Sequence, residues 1–206
     1  MKYNTLIWDL DGTLMFTPED FIVEVVNETV REFSLSATMK QAKEFWYGSN
    51  RDEVIKRIWG LSKKQFWPKF RLHDTPERRF QVMKAYDDVY MLAELSQKGY
   101  LQAILTGASI RTIQSSMAIL GDHFQATFSA RPPRKLKPHP EGLDILLEIL
   151  GADISKTLLI GNGQEDIDCG RCAGVDTCLV DRGEYPIPRV NPTYKIKSLT
   201  ELRRIV

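Results

Sequence analysis

The sequence lacks an excess of charge of either sign. It contains 28 lysines and arginines against 27 aspartates and glutamates, which gives a net charge of +1. Proteins that bind nucleic acids or anionic membranes through electrostatic attraction usually carry a clear excess of basic residues. We therefore expect neither a nucleic acid nor a membrane among the partners of this chain.

Long apolar runs are absent as well. No run approaches the roughly 20 residues that a transmembrane helix needs. The first apolar run is interrupted by Asp9 and Asp11, so we expect no signal peptide. With 206 residues, 43% of them hydrophobic, the chain is long enough for one large domain or for a core with a modest insert.

Cysteine is scarce, and its three copies are Cys169, Cys172 and Cys178. An odd number in a chain of this length is typical of reduced thiols, and we expect a cytoplasmic protein. Cys169 and Cys172 form a Cys-x-x-Cys pair, but the three histidines are scattered and supply no second pair of zinc ligands. We interpret the pair as core-facing or semi-buried thiols.

Short apolar runs alternate with helical patterns along much of the chain. This alternation predicts an α/β fold with a Rossmann-like parallel sheet flanked by helices. The predicted strands are residues 5–8, 101–105, 126–128, 157–160 and 178–180, with an edge strand at 194–197. The main amphipathic helices are predicted at 110–120 and 140–150, and a terminal helix at 199–206.

Residues 18–98 do not follow this alternation. They show helical periodicity without a convincing strand, over a length too great for a simple crossover connection. We predict a core formed by residues 1–16 and 87–206 and an inserted helical subdomain at 17–86. Seven aromatic residues of the insert should mostly form its own core, with one or two facing a substrate: Phe45, Trp46, Tyr47, Trp59, Phe66, Trp67 and Phe70.

The most informative segment is residues 9–13, Asp-Leu-Asp-Gly-Thr, directly after the first predicted strand. Two carboxylates on one side of a chain repel each other, and the pKa of one rises. That arrangement is useful if a cation lies between them, or if one acts as a nucleophile while the other transfers protons. The alternative is an Asp-Gly turn that closes a strand, with both acids in solvent.

Three later segments also follow predicted strands or precede predicted helices. Thr106 and Gly107 come directly after the second strand, where a hydroxyl and backbone amides suit an anion, although Thr-Gly is also common in ordinary loops. Lys137 begins the segment Lys-Pro-His-Pro-Glu within a basic loop, where a lysine is usually solvated. Residues 161–166 read Gly-Asn-Gly-Gln-Glu-Asp.

Taken in order, the four segments resemble the motifs of the haloacid dehalogenase superfamily. The position of the insert, between the first and second segments, resembles the helical-cap branch that holds phosphoglycolate-phosphatase-like enzymes. The resemblance implies that Asp9 is the nucleophile and Asp11 the general acid and base. It also implies that Thr106 and Gly107 bind the phosphoryl oxygens and that Lys137 neutralises charge.

The resemblance further implies a Mg²⁺ ion held by Asp9, the Asp11 carbonyl and Asp166. Asn162 stands where the superfamily usually has an aspartate. A side-chain amide can still offer Mg²⁺ one neutral oxygen, but the site loses one negative charge. We therefore expect weaker metal binding than the usual motif would give.

The implied activity is hydrolysis of a small phosphorylated metabolite by a Mg²⁺-dependent phosphatase, through an aspartyl-phosphate intermediate. Two alternatives remain open: a phosphomutase of the same superfamily, and a non-catalytic binding or regulatory relative with a weakened metal site. The sequence indicates no particular oligomeric state.

Overall fold

The computed structural model describes residues 2–48, 50–184 and 190–206. The chain forms two compact units, one of Met1–Phe16 with Ala85–Val206 and the other of Thr17–Lys84. We call them the core unit and the helical unit. In the described part of the chain, no helix combines the length and apolar character needed to cross a membrane.

The core unit is built around a parallel sheet. The strands of the described residues are β1 (Thr5–Trp8), β2 (Met15–Phe16), β3 (Lys84–Ala85), β4 (Leu101–Thr106), β5 (Ala126–Ser129), β6 (Thr157–Gly161), β7 (Asp176–Val180) and β8 (Tyr194–Ile196). Six of them form one sheet in the order β5-β4-β1-β6-β7-β8, and every pair in it is parallel. The predicted parallel α/β sheet is confirmed, and β1 lies near its centre with all four residues buried.

Helices cover the sheet and form the second unit. Those of the described residues are α1 (Glu19–Arg31), α2 (Met39–Tyr47), α3 (Arg51–Trp59), α4 (Lys63–His73), α5 (Pro76–Val82), α6 (Met91–Gln97), α7 (Ile110–Leu120), α8 (Glu141–Leu150) and α9 (Gln164–Ala173). The first five belong to the helical unit. The sequence prediction for α7 has the observed bounds, and α8 begins one residue later than predicted.

The helical unit has a core of its own, made largely of aromatic rings. Phe45 lies at its centre, with the rings of Phe66 and Phe70 at centroid distances of 4.9 and 5.3 Å. Of the seven aromatic residues named in the sequence analysis, Tyr47 and Trp67 are only partly buried. The prediction that most of them form the core of the insert is confirmed, and a contact of one or two with a substrate stays a prediction.

Three details of the sequence prediction are wrong. Strand β3 lies within the stretch for which no strand was predicted, because two residues are too few to show a periodicity, and it pairs with β2 in a two-stranded sheet. The predicted terminal helix is a 3₁₀ helix over Leu199–Arg204. Its buried residues, Leu199 and Leu202, are three apart, which matches the three residues per turn of a 3₁₀ helix.

The third wrong detail is the predicted burial of Cys172. Cys169 and Cys178 are buried, but Cys172 is exposed. Cys172 lies on α9 outside the helix face that packs on the sheet, which includes Asp166, Ile167 and Cys169. The expectation of a core-facing or semi-buried Cys172 is therefore wrong.

Candidate active site

The candidate residues meet at one edge of the sheet. Strand β1 pairs with β4 on one side and β6 on the other, and Trp8 lies opposite both Ile104 and Ile160. Since the three strands are parallel, the residues that follow them come together at their carboxyl ends. The chain fills one side of β1 with β4 and β5 and the other with β6 to β8, and such a switch point is where open α/β sheets bind ligands.

Asp9 is a buried carboxylate at the end of β1, with 7% of the residue exposed. Its backbone N–H donates to the Ile160 carbonyl at 2.8 Å, which ties it to β6. Its Oδ1 accepts from Lys137 at 2.7 Å and its Oδ2 from the Thr13 hydroxyl at 3.2 Å. Burial raises the pKa of Asp9 to about 7, although the charge of Lys137 acts in the opposite direction.

Lys137 is the cation of the site, and its side chain is only 7% exposed. Its Nζ donates to Asp9 Oδ1 at 2.7 Å, Asp166 Oδ1 at 2.5 Å and the Leu105 carbonyl at 3.0 Å. These acceptors use all three protons of the ammonium group. Burial acts to lower the pKa of Lys137, but the two carboxylates outweigh it and raise the pKa well above its usual value. The interpretation as a solvated loop lysine is therefore wrong.

Asp11 lies in a tight turn that follows Asp9. The Leu10 carbonyl accepts hydrogen bonds from three backbone N–H groups, those of residues 13, 14 and 15. Gly12 has a φ of +87°, a conformation that costs a glycine little and other residues more. Asp11 is half-buried in this turn, and its charge contributes to the raised pKa of Asp9.

Thr106 and Gly107 lie where β4 ends and the loop to α7 begins. Thr106 is buried, and its hydroxyl oxygen accepts from the Ala108 N–H at 3.0 Å. A Cβ atom added to Gly107 would have no heavy atom within 4 Å, so the backbone here borders open space. The loop therefore offers a hydroxyl and an accessible backbone at the same edge of the sheet as Asp9.

Asp166 lies in the first turn of α9 and is 1% exposed. Its Oδ1 accepts from Lys137, and its Oδ2 accepts from the Gly163 N–H at 2.9 Å. The side chain thus closes the amino end of its own helix while it shares Lys137 with Asp9. The structure brings Asp9, Lys137 and Asp166 into one buried cluster.

Asn162 also contacts this cluster. Three oxygens surround one end of its amide: Asp9 Oδ2 at 3.3 Å, the Asp11 carbonyl at 3.2 Å and Thr13 Oγ1 at 3.2 Å. That end carries the NH₂ group, because an amide oxygen placed there would face acceptors only. Asn162 therefore donates towards two of the oxygens that the family resemblance assigns to Mg²⁺.

The oxygens of Asp9, Asp166, the Asp11 carbonyl and the Asn162 amide fit Mg²⁺ as a hard cation, which usually takes one or two carboxylates together with water. Only two of these ligands, Asp9 and Asp166, are carboxylates. Within the described ranges, no three His, Cys, Asp or Glu residues converge as metal ligands. For the amide oxygen of Asn162 to face a cation, its NH₂ group has to turn away from Asp9 and Asp11.

Thr13 contacts both Asp9 and Asn162, and the sequence analysis did not predict this. Its hydroxyl lies between Asp9 Oδ2 and the Asn162 amide, and the residue is completely buried. Its place four residues after Asp9, in the same short segment, is the only signal in the sequence that points to this contact.

The fold and the site together define an α/β protein with a buried Asp–Lys–Asp cluster at the switch point of a parallel sheet. The family model described as haloacid dehalogenase-like hydrolase matches residues 6–180, and the chain belongs to this family. The resemblance found in the sequence and the prediction of an enzyme are confirmed.

Two relatives are similar to this chain over its whole length. Pyrophosphatase PpaX of Bacillus mycoides is 26% identical over 212 residues, covering 100% of this chain and 98% of the relative. Pyrophosphatase PpaX of Halalkalibacterium halodurans is 27% identical over 212 residues, with the same coverage.

Solved structures show the same fold. A predicted phosphoglycolate phosphatase from Haemophilus somnus superposes with a TM-score of 0.82 at 19% identity, covering 100% of this chain and 98% of that one. A haloacid dehalogenase-like hydrolase from Streptococcus pneumoniae gives a TM-score of 0.82 at 17% identity, with coverage of 99% and 98%.

Proposed function

We propose that the protein is a Mg²⁺-dependent phosphatase that hydrolyses a small phosphorylated metabolite through an aspartyl-phosphate on Asp9. The observation that carries this proposal is the buried Asp9 carboxylate, held by the charged Lys137 at 2.7 Å. A buried carboxylate with one oxygen fixed by a cation is positioned as a nucleophile rather than left to rotate in solvent.

In the proposed reaction, Asp9 attacks phosphorus in line with the leaving oxygen. Asp11 donates a proton to that oxygen as its bond to phosphorus breaks. The resulting Asp11 carboxylate then takes a proton from a water molecule that attacks the aspartyl-phosphate. Asp9 is released with inorganic phosphate, and Asp11 is again protonated.

The remaining residues bind and neutralise charge. Thr106 and Gly107 are proposed to donate to the phosphoryl oxygens, and Lys137 to balance the charge that gathers near Asp9. Mg²⁺, held by Asp9, the Asp11 carbonyl, Asp166 and Asn162, would supply further positive charge next to the phosphoryl group.

The substrate class is proposed from the same residues and from the relatives. Two relatives are named pyrophosphatases, which adds a phosphate anhydride to the candidate substrates beside a small phosphate ester. We propose that the insert, residues 17–86, acts as a cap that excludes water and selects the leaving group. A cytoplasmic location stays an expectation from the cysteine count.

The test is turnover of a panel of phosphorylated compounds with Mg²⁺, including pyrophosphate and phosphoglycolate, by the wild type and by Asp9→Asn. We expect the variant to lose at least about 10³-fold in turnover, since an amide cannot serve as an anionic nucleophile. Asp122→Asn changes an exposed aspartate after α7 in the same way and should keep full activity. A phosphatase activity that survives in Asp9→Asn would contradict the proposal.

A further inference from the structure

Arg182 lies just beyond β7, and although its guanidinium is charged, the side chain is only 9% exposed. Its two terminal nitrogens donate to the two carboxylate oxygens of Asp88 at 2.9 and 3.0 Å. One of these nitrogens also donates to the Thr13 carbonyl at 2.9 Å. The guanidinium therefore joins three separate segments of the core unit.

Both sides of this ion pair are held in place. Asp88 also accepts from the Ser198 hydroxyl and from the Leu199 N–H, each at 2.9 Å. The guanidinium carbon of Arg182 lies 3.7 Å from the centre of the Tyr86 ring. With both partners fixed, the nitrogen that faces Thr13 has little freedom to move.

Stability alone is a weak explanation for this buried ion pair. Burying two charges costs solvation free energy that their attraction offsets only in part, and apolar residues often stabilise a fold better. The Nε of Arg182 is also buried without a hydrogen-bond partner among the described residues, which is a further cost. Unlike an apolar side chain, the planar guanidinium group donates hydrogen bonds in fixed directions.

The segment that Arg182 holds is the turn that carries Asp11. The Thr13 carbonyl accepts from Arg182, and the next carbonyl, that of Leu14, accepts from the Tyr86 N–H at 3.1 Å. The hydroxyl of Thr13 in turn donates to Asp9 Oδ2 at 3.2 Å. Arg182 thus acts on the backbone two residues after Asp11 and on the residue that contacts Asp9.

We propose that Arg182 is a positioning residue that fixes the turn of residues 10–14 and so places Asp11 for proton transfer to the leaving oxygen. This inference rests on the proposed function. Asp9 is also held by Lys137 and by β6, so loss of Arg182 should disturb Asp11 more than Asp9. A catalytic group displaced by about 1 Å can cost about 10²-fold in rate.

The experiment compares two substrates in Arg182→Met and Arg182→Lys. p-Nitrophenyl phosphate has a leaving group that departs without a proton, whereas an alkyl phosphate such as phosphoglycolate needs one. For Arg182→Met we expect kcat/KM, which covers the steps up to release of the leaving group, to fall about tenfold or more on phosphoglycolate and less than about threefold on p-nitrophenyl phosphate. The later attack of water on the aspartyl-phosphate is common to both substrates and affects kcat alone. Arg182→Lys, which keeps the charge next to Asp88, should fall between Arg182→Met and the wild type.

Two further variants serve as the positive and the negative control. Asp11→Asn should show the same selectivity in kcat/KM as Arg182→Met, with a larger loss on phosphoglycolate. Arg203→Met removes an arginine from an exposed pair with Glu94 and should leave both rates unchanged. Equal losses of kcat/KM on the two substrates in the Arg182 variants would mean a purely structural role and would overturn the inference, and so would unchanged kcat/KM values.

Hydrogen exchange separates this inference from the proposed function. If the wild type hydrolyses no compound of the phosphorylated panel, the proposed function fails, but the effect of Arg182 on the turn can still be measured. The Leu14 and Met15 N–H groups donate to Leu10 inside the turn and should exchange at least about tenfold faster in Arg182→Lys, with exchange in β6 unchanged. Wild-type exchange at both amides would overturn the inference even if Arg182→Met fails to fold.

Discussion

At the scale of single residues, Lys137 has two proposed roles, one in the reaction and one in stability. Its ammonium group pairs with Asp9 and Asp166, both of which are buried. Removing it therefore takes a cation from the proposed phosphoryl site and also leaves two carboxylates without their charge partner.

We predict that Lys137→Met lowers both turnover and stability. Turnover should fall at least about 10²-fold, because charge neutralisation in a dry site is lost. The free energy of unfolding should fall by about 3–5 kcal/mol, as is usual when one partner of a buried ion pair is removed. Enzyme assays and chemical denaturation measure the two effects.

The matched control is Lys135→Met, two residues earlier in the same loop. Lys135 is exposed and its Nζ contacts His139, so neither quantity should change appreciably. Equal behaviour of the two variants would contradict the role assigned to Lys137.

Asn162 is a proposed Mg²⁺ ligand, and its effect on metal affinity also belongs to the scale of single residues. Its side chain is neutral, and its NH₂ group faces oxygens of Asp9 and Asp11. We predict that Asn162→Asp binds Mg²⁺ at least about tenfold more tightly, or about 1.4 kcal/mol. Calorimetric titration and the Mg²⁺-dependent rise in melting temperature measure binding without reference to activity.

Asn50→Asp, on an exposed residue of the helical unit, is the control for the added charge and should leave Mg²⁺ binding unchanged. Equal affinity of the wild type and Asn162→Asp would place Asn162 outside the metal shell. A wild type that is inert at every Mg²⁺ concentration, but active as Asn162→Asp, would favour the non-catalytic alternative.

At the scale of elements, α9 connects the site to the core. Its first turn carries Asp166, and one turn later Gly170 lies against β7. A Cβ atom on Gly170 would overlap the Thr177 methyl carbon and lie 3.3 Å from the Val175 carbonyl. The glycine therefore allows the close approach of helix and strand that brings Asp166 to Lys137.

We predict that Gly170→Ala lowers the free energy of unfolding by up to about 2 kcal/mol. Overpacking usually costs about 1–3 kcal/mol, and better helix propensity returns about 1 kcal/mol of it. Thr177→Ser removes the methyl group that the new Cβ would overlap, so the double variant should recover part of the loss. Chemical denaturation of all three variants measures this coupling.

Cys172→Ala, on the exposed side of the same helix, should stay within about 0.5 kcal/mol of the wild type. If Gly170→Ala proves as stable as the wild type, the close packing of α9 on β7 does not limit stability.

At the scale of the whole molecule, the pair of Asp88 and Arg182 joins chain segments 94 residues apart. Burial acts to raise the pKa of Asp88, but hydrogen bonds from Arg182, Leu199 and Ser198 outweigh it and leave the pKa below its usual value. A carboxyl whose pKa is depressed in the folded state stabilises the fold above its unfolded pKa. That contribution is lost as the pH falls through the folded pKa.

We predict that the stability difference between the wild type and Asp88→Asn is constant near neutral pH and shrinks below about pH 4, near the unfolded pKa of aspartate. Denaturation at a series of pH values measures this difference. Glu94→Gln, which breaks the pairs with the more exposed Arg203 and Lys98, should leave stability at neutral pH almost unchanged. A difference for Asp88→Asn that does not vary with pH would contradict the prediction.

Much of the core could be predicted from the sequence, because its strands are short apolar runs between amphipathic helices. The first strand has its predicted bounds, and β4 and β6 each extend one residue further, to Thr106 and Gly161. Elements of two residues, such as β2 and β3, leave no periodicity to detect. The exposure of Cys172 depends on how α9 rotates against the sheet, which the Cys-x-x-Cys spacing does not reveal.

The sequence by itself determined the parallel α/β core and the family, because alternation and short motifs are local properties of the chain. It also showed that each of the four candidate segments lies next to a predicted strand or helix. Only the tertiary structure decided that Lys137 is buried between Asp9 and Asp166, and that Arg182 reaches the carbonyl of Thr13. These contacts join residues far apart in the chain, and their distances and burial depend on how strands and helices pack, which no local pattern encodes.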